Sequence, residues 1–286
     1  MITFFRRRGL GNTSCREMAR IINEELGGEA RVVRNDAPHI FYNGESVVRW
    51  GCTSQLPNPE HPSPCVTVIN RPASIHKCND KAGARMLLQE VGVPVPTTWR
   101  DFSAVEGYPV IVRPAHHSRG RYLYLADNDV ALQVLLQDHF NRGVGSGFYI
   151  SKYIPKVREV RVFVANGRAV WVAEKTPGNP DDVAWNVARG GRFDHVKWSE
   201  WPMSAVRAAV AASNVIGTDF AGVDVMLDAD NNPYVLELNS APSQTSPYRQ
   251  LCSAKAFKWM HDHRGEELPV VTEGGWKEYI HPAIRS

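Results

Sequence analysis

VDVMLDADNNPYVLELNSAP, residues 223 to 242, holds two apolar runs around a polar turn, and Asp224, Glu237 and Asn239 interrupt those runs where a plain hairpin would carry apolar or neutral residues. If Leu227 pairs with Tyr234 across the turn DADNNP, Asp224 stands opposite Glu237 and Gly222 opposite Asn239. The three polar side chains then share one face, and Val223, Val225, Leu236 and Leu238 form an apolar layer on the other. Two directly opposed carboxylates repel by up to roughly 1 kcal/mol in the open and by more when shielded from water. A divalent cation reverses the sign of that interaction. Two carboxylates and an amide, all oxygen donors, suit a hard ion such as Mg²⁺ that completes its shell with water and phosphate. The alternative at this point is a pair of solvated carboxylates on an outer strand, and a one-residue bulge would undo the shared face.

The rest of the chain sets the context. Its 286 residues are enough for two or three packed lobes, since single cores stop growing near ~250 residues. Apolar residues at 43% and charged residues at 22% describe an ordinary folded protein, neither disordered nor fibrous. A net charge of +3 from 33 basic and 30 acidic residues is too small to argue for nucleic-acid binding, despite the local run Arg6-Arg7-Arg8. Five cysteines with no CxxC pair indicate neither a disulfide framework nor a zinc site. No run of about 18 apolar residues offers a membrane span, and the opening MITFFRRRGLG reverses the charge order of a secretory signal. A cytoplasmic protein is expected.

Along the chain, MITFF, the helix-period run GNTSCREMARIINEELGG and the strand-like ARVVRN predict an α/β layer with parallel strands. Asn12, Thr13 or Ser14 is the expected N-cap, and Gly27 the stop. The Pro- and Gly-rich residues 51–72 predict a domain edge near residue 72. NDKAGARMLLQEVGVPVP predicts a helix capped by Asn79 and ended by Gly92 and Pro94. YPVIVRP, RYLYLA and FYISKYI predict strands, with a helix at NDVALQVLLQDHF, and together they make a small α+β lobe. REVRVFVANGRAVWVAEK predicts a hairpin turning at Asn166-Gly167. SAVRAAVAASNVIG predicts a further helix.

This order of elements, closing in GVDVMLDADNNPYVLELNSAPS, resembles the ATP-grasp superfamily and most closely its RimK-like branch of glutamate ligases, over about residues 70 to 260. The resemblance implies an ATP-grasp fold behind an N-terminal α/β domain: residues 1–72, a small lobe 73–155, and a large lobe 156–286 with the metal site. It implies Asp224, Glu237 and Asn239 as ligands to Mg²⁺, or to Mn²⁺ in its place. NDKAGARMLLQEVGVPVPTT is similar to the segment that opens the small lobe through Asn79, Asp80 and Lys81. YPVIVRPAHHSRGRYLYL stands where the family has a phosphate-binding Lys and a Gly-rich lid, so Arg113, Ser118 and Gly120 are implied nucleotide contacts, with His116 and His117 beside them. Arg keeps the charge of Lys but presents a planar fork. FYISKYI occupies the hinge whose main chain holds adenine, implying Lys152, Tyr153 and Ile154; Glu159 is placed near the nucleotide. Arg161, Lys175, Asn186 and Arg189 are implied as catalytic groups facing the phosphates or the acyl-phosphate.

The function so implied is an ATP-dependent carboxylate–amine ligase: ATP phosphorylates a carboxylate, an amine displaces phosphate, and an amide, ADP and phosphate result. Positioning and charge neutralisation dominate such catalysis. The acceptor is a small molecule, a peptide or a protein tail, and homo-oligomerisation is left open. The rivals are an ATP-dependent phosphotransferase on the same scaffold and a non-catalytic nucleotide- or nucleic-acid-binding module. The latter would bind with steep salt dependence and without need of Glu237.

Overall fold

The computed structural model describes residues 1–56, 66–114, 123–179, 182–183, 185 and 190–285, except 142–146. Three sheets organise the chain. In the first, β1 (Ile2–Arg6), β2 (Ala30–Arg34), β3 (Ser46–Trp50) and β4 (Thr67–Ile69) run parallel in the order β2-β1-β3-β4, with α1 (Asn12–Glu24) crossing from β1 to β2. None of the three expected polar residues caps α1. Its N-cap is Gly11, in the left-handed conformation with φ 65°, and no side chain closes the first turn. A Cβ there would strike the Trp50 ring, so Gly11 lets the loop lie flat on that indole.

Helices α2 (Pro72–Asn79) and α3 (Lys81–Glu90) follow. The sequence predicts one helix capped by Asn79, but Asn79 ends α2, and Asp80 caps α3 by accepting from the Gly83 amide at 2.9 Å. The second sheet orders β5 (Thr98–Trp99), β8 (Phe148–Lys152), β6 (Val110–Pro114) and β7 (Tyr124–Ala126), with α4 (Asp129–Asn141) beside it. It is antiparallel wherever its strands pair.

The third sheet carries the chemistry. Its order is β11 (Arg192–Val196), β10 (Arg168–Thr176), β9 (Arg158–Ala165), β12 (Phe220–Leu227) and β13 (Pro233–Asn239), again antiparallel. Asn166 and Gly167 both have positive φ at the β9–β10 turn, as the predicted hairpin requires. One face, with Val160, Val162, Val164, Val223 and Val225 all fully buried, packs on α5 (Met203–Ile216). The opposite face changes character along its length. Phe163, Trp171 and Phe220 pack against Phe257 of α6 (Pro247–Asp262), whereas two residues back along β9 the same face turns charged at Arg161 and Glu159. The chain ends in the short α7 (Trp276–Tyr279) and one 3₁₀ turn. Among the described residues, no helix is long and apolar enough to cross a membrane.

Candidate active site

The decisive hairpin is β12–β13. Asp224 faces Glu237 and Gly222 faces Asn239, as expected, but Leu227 pairs with Pro233 and not with Tyr234. A bulge between Asp224 and Val225 absorbs the difference: Leu236 is the extra residue, and Val225 pairs with Val235. The bulge therefore corrects the apolar layer as well. Val235, fully buried, takes the core place expected of Leu236, and Leu236 turns with Glu237 onto the cleft. All of Gly222, Asp224, Glu237 and Asn239 lie on the same side of the bulge, so their common face survives.

That face floors a cleft of about 690 Å³ between the second and third sheets. Asp224, 1% exposed, is clamped by Arg161 (Nε to Oδ1 2.5 Å, Nη2 to Oδ2 2.8 Å), and Lys175 Nζ donates to its Oδ2 at 2.9 Å. Lys175 also donates to Glu159, and Lys156 to the other oxygen of Glu159. Glu237 meets Lys81, the second residue of the Asp80-Lys81 pair, at 2.5 Å through Oε2, and accepts from Asn239 Nδ2 at 3.1 Å through Oε1. Burial by itself would raise the Asp224 carboxyl, but Arg161 and Lys175 outweigh it and hold the group well below the usual range. Glu237 is depressed in the same way: burial opposes, and Lys81 leads the groups that lower it.

The donors fit a hard divalent ion. Each carboxylate oxygen accepts at two positions, and Oδ1 of Asp224 takes only the Arg161 bond while Oδ1 of Asn239 takes none among the described residues. Glu237 has the most room, because its other partner is a single flexible lysine.

At the hinge, β8 delivers Lys152, Tyr153 and Ile154 to the cleft. The amides of Lys152 and Tyr153 are already bonded to Thr97 O (2.8 Å) and Pro109 O (3.0 Å), whereas the Ile154 amide has no main-chain partner among the described residues. Arg113 lines the cleft too. Ser118, Gly120, Asn186 and Arg189, with His116 and His117, lie outside the described residues.

Folding adds groups that the sequence does not single out. Arg85 of α3 is 2% exposed, donates Nε to Leu236 O at 2.8 Å and shares the Tyr149 ring with Arg113. Among the described residues neither arginine pairs with a carboxylate, and Arg85 Nη1 and Arg113 Nε have no hydrogen-bond partner. Burial first, then repulsion from Arg113, pushes the Arg85 guanidinium down to about 10. Trp185 lies under Lys156 (4.5 Å to the ring centre). Phe193 and Arg249 close the far end. Eight cationic side chains line the cleft against four carboxylates. Such an excess selects a polyanion.

A family model for the RimK-like ATP-grasp domain matches residues 97–258. A probable alpha-L-glutamate ligase 2 from Hahella chejuensis is 31% identical over 232 residues, 77% of this chain and 70% of that protein. The alpha-aminoadipate–LysW ligase LysX of Saccharolobus solfataricus is 28% identical over 198 residues, 64% of this chain and 68% of LysX. Among solved structures, the ATP-grasp ligase PsnB in complex with minimal precursor, Mg and ADP superposes with a TM-score of 0.62 at 15% identity, covering 91% of this chain and 97% of PsnB.

Proposed function

The chain belongs to the RimK-like ATP-grasp family of ATP-dependent carboxylate–amine ligases, and from that premise we propose how its cleft makes an amide. The observation that carries the reading is the cation-rich cleft whose floor holds Asp224 and Glu237 among Arg161, Lys175 and Lys81. ATP lies with its base at the 152–154 hinge, near Lys156 and Trp185. Its phosphates run toward the third sheet past Arg85 and Arg113, whose unused N–H groups serve the phosphate oxygens. Asp224, Glu237 and Asn239 would hold Mg²⁺, or Mn²⁺ with the same preference for oxygen donors, with Lys81 giving up its Glu237 oxygen. The bound ion would supply charge neutralisation for phosphoryl transfer.

The substrate carboxylate takes the γ-phosphoryl group, and ADP is the leaving group. The amine lone pair then attacks the acyl carbon, the acyl C–O bond to phosphate breaks, and one amine proton leaves with the phosphate as the amide forms. Arg161 and Lys175 are fixed by Asp224 and Glu159, so they meet the developing negative charge without reorganising. Ser118, Gly120, Asn186 and Arg189 are retained as a phosphate lid and acyl-phosphate contacts on the strength of the family resemblance. Residues 1–72, 73–155 and 156–286 are the three domains of this reading, and the site of action is the cytoplasm. The acceptor class is an amino acid, a peptide or a protein tail, as the names of the similar ligases suggest.

The test is ADP release with Mg²⁺ and ATP over a panel of amino acids and short peptides, with mass spectrometry of the product. A ligase releases free phosphate only when the amine is supplied and yields a product heavier by one condensation. A phosphotransferase leaves the phosphate on its product, and that result would replace the ligase reading.

A further inference from the structure

Seven of the eight cations around the cleft have a carboxylate, a place along the nucleotide path, or both; Arg249 has neither. It sits in the first turn of α6 and is 6% exposed. Its guanidinium lies over the rings of Trp171 (5.6 Å) and Phe193 (5.9 Å), and it donates one long hydrogen bond, Nη1 to Phe193 O at 3.4 Å. Asp194 is the nearby acid, but it accepts from Arg192 and Thr176 and forms no ion pair with Arg249. Arg249 is largely removed from solvent and keeps only a charge contact with Asp194 in place of an ion pair, so an anionic ligand in the cleft would complete its environment.

The register of the third sheet says which anion. Asp224, Arg161 and Ala173 lie in one row across the strands; Asn239, Gly222, Phe163 and Trp171 lie in the next, on the side away from Glu159 and the hinge. Arg249 is stacked over Trp171 in that outer row. The carboxylate that reacts belongs at the Asp224–Arg161 row, beside the phosphates. An anion at Arg249 stays one row farther on, out of reach of the transferred phosphoryl group.

Resting on the ligase reading above, we propose that Arg249 binds a second, non-reacting carboxylate on the substrate that enters beyond the phosphates, so that the enzyme selects an amine bearing its own carboxylate. The rings of Trp171 and Phe193 pack against the guanidinium and limit its motion, which favours a two-point bond to that group. Burial, and then repulsion from Arg161, lowers the Arg249 guanidinium in the empty cleft, and an arriving carboxylate relieves both.

The test compares ADP release from ATP and Mg²⁺ driven by free amino acids, L-glutamate among them, with that driven by the same compounds as carboxamides. Wild type is expected to prefer acid over amide by about 100-fold or more in kcat/KM, because a site built for a carboxylate is left unpaired by the amide. In R249Q the preference should fall to within about threefold, through KM of the acid. A thermal shift on adding ADP and Mg²⁺ reports whether R249Q is folded. Should it not fold, R249K replaces it, with the acid weakened about tenfold and the amide unaffected. Equal loss for acid and amide in either variant assigns Arg249 to packing alone and overturns the proposal. So does a wild-type enzyme indifferent to the acid. If no amine elicits ADP from wild type, the ligase reading itself fails and takes this inference with it.

Discussion

Arg161 and Asp224 are register partners on adjacent strands, and their side chains close a two-point clamp, Nε to Oδ1 at 2.5 Å and Nη2 to Oδ2 at 2.8 Å. With Lys175 on the same carboxylate, the clamp fixes two cations at the centre of the cleft. Removing the carboxylate charge strands Arg161 and leaves Lys175 with Glu159 alone. Asp224→Asn should destabilise the protein by about 3–5 kcal/mol, the usual penalty for breaking a buried ion pair from one side. Urea unfolding at neutral pH checks this; a change below about 1 kcal/mol would mean that water reaches the pair.

The same carboxyl gives the acid limb of stability its sign. Its folded pKa is depressed below the unfolded value near 4, so its stabilisation is present above that value and drains away as pH falls toward the folded pKa. Wild type should lose stability steeply below about pH 4, and Asp224→Asn should show a shallower slope there. Parallel slopes for the two proteins would contradict the assignment.

Glu237→Gln tests the proposed metal role. Glutamine keeps the shape and one acceptor oxygen but loses the charge that faces Lys81 and the ion. The variant should fold and lose about 100-fold or more of its ATP turnover, with a raised Mg²⁺ requirement. Unaltered turnover across a Mg²⁺ titration would remove Glu237 from the metal site.

Arg85→Met separates stability from binding. Arg85 is buried without a carboxylate, so an apolar side chain of similar length should leave stability unchanged or raised, although Leu236 O loses its donor. ATP affinity, measured by titration calorimetry, should fall about tenfold. A loss of stability with intact affinity would mark Arg85 as a structural tie between α3 and the bulge.

Gly222→Ala probes how tightly the floor is built. Its Cβ would stand 2.7 Å from Pro242 Cβ and 3.4 Å from Arg161 Cδ. Overpacking of that kind costs about 1–3 kcal/mol and displaces whichever neighbour gives way. Reduced turnover should accompany the lower denaturation midpoint, because Arg161 and the Asn239 strand exit are what Gly222 accommodates.

What the sequence alone determined is local and periodic. Alternation in β9, β10 and β12, the Asn166-Gly167 turn and the helical spacing of α3, α4 and α5 are legible because each depends on residues close in the chain. Even the facing of Asp224 and Glu237 is legible, although Leu227 pairs one residue away from expectation. The shorter turn and the extra residue Leu236 cancel, so the carboxylates meet in the expected register while Leu236 and Val235 exchange faces. Alternation cannot show a bulge, since its cost and benefit lie in the packing around it. α6 is illegible for a related reason: its buried side includes Arg249, Gln250, Ser253 and two alanines among Cys252 and Phe257, which make no apolar stripe. Tertiary structure alone decided which charges matter. Arg85 and Arg249 look like any surface cations in the chain, and the resemblance names Lys81 only for opening the small lobe; the fold alone sets Lys81 on Glu237 and buries the two arginines without an ion pair. A charge acquires its role from what surrounds it after desolvation, and that surrounding comes from strands and helices as far apart in the chain as Lys81 and Glu237.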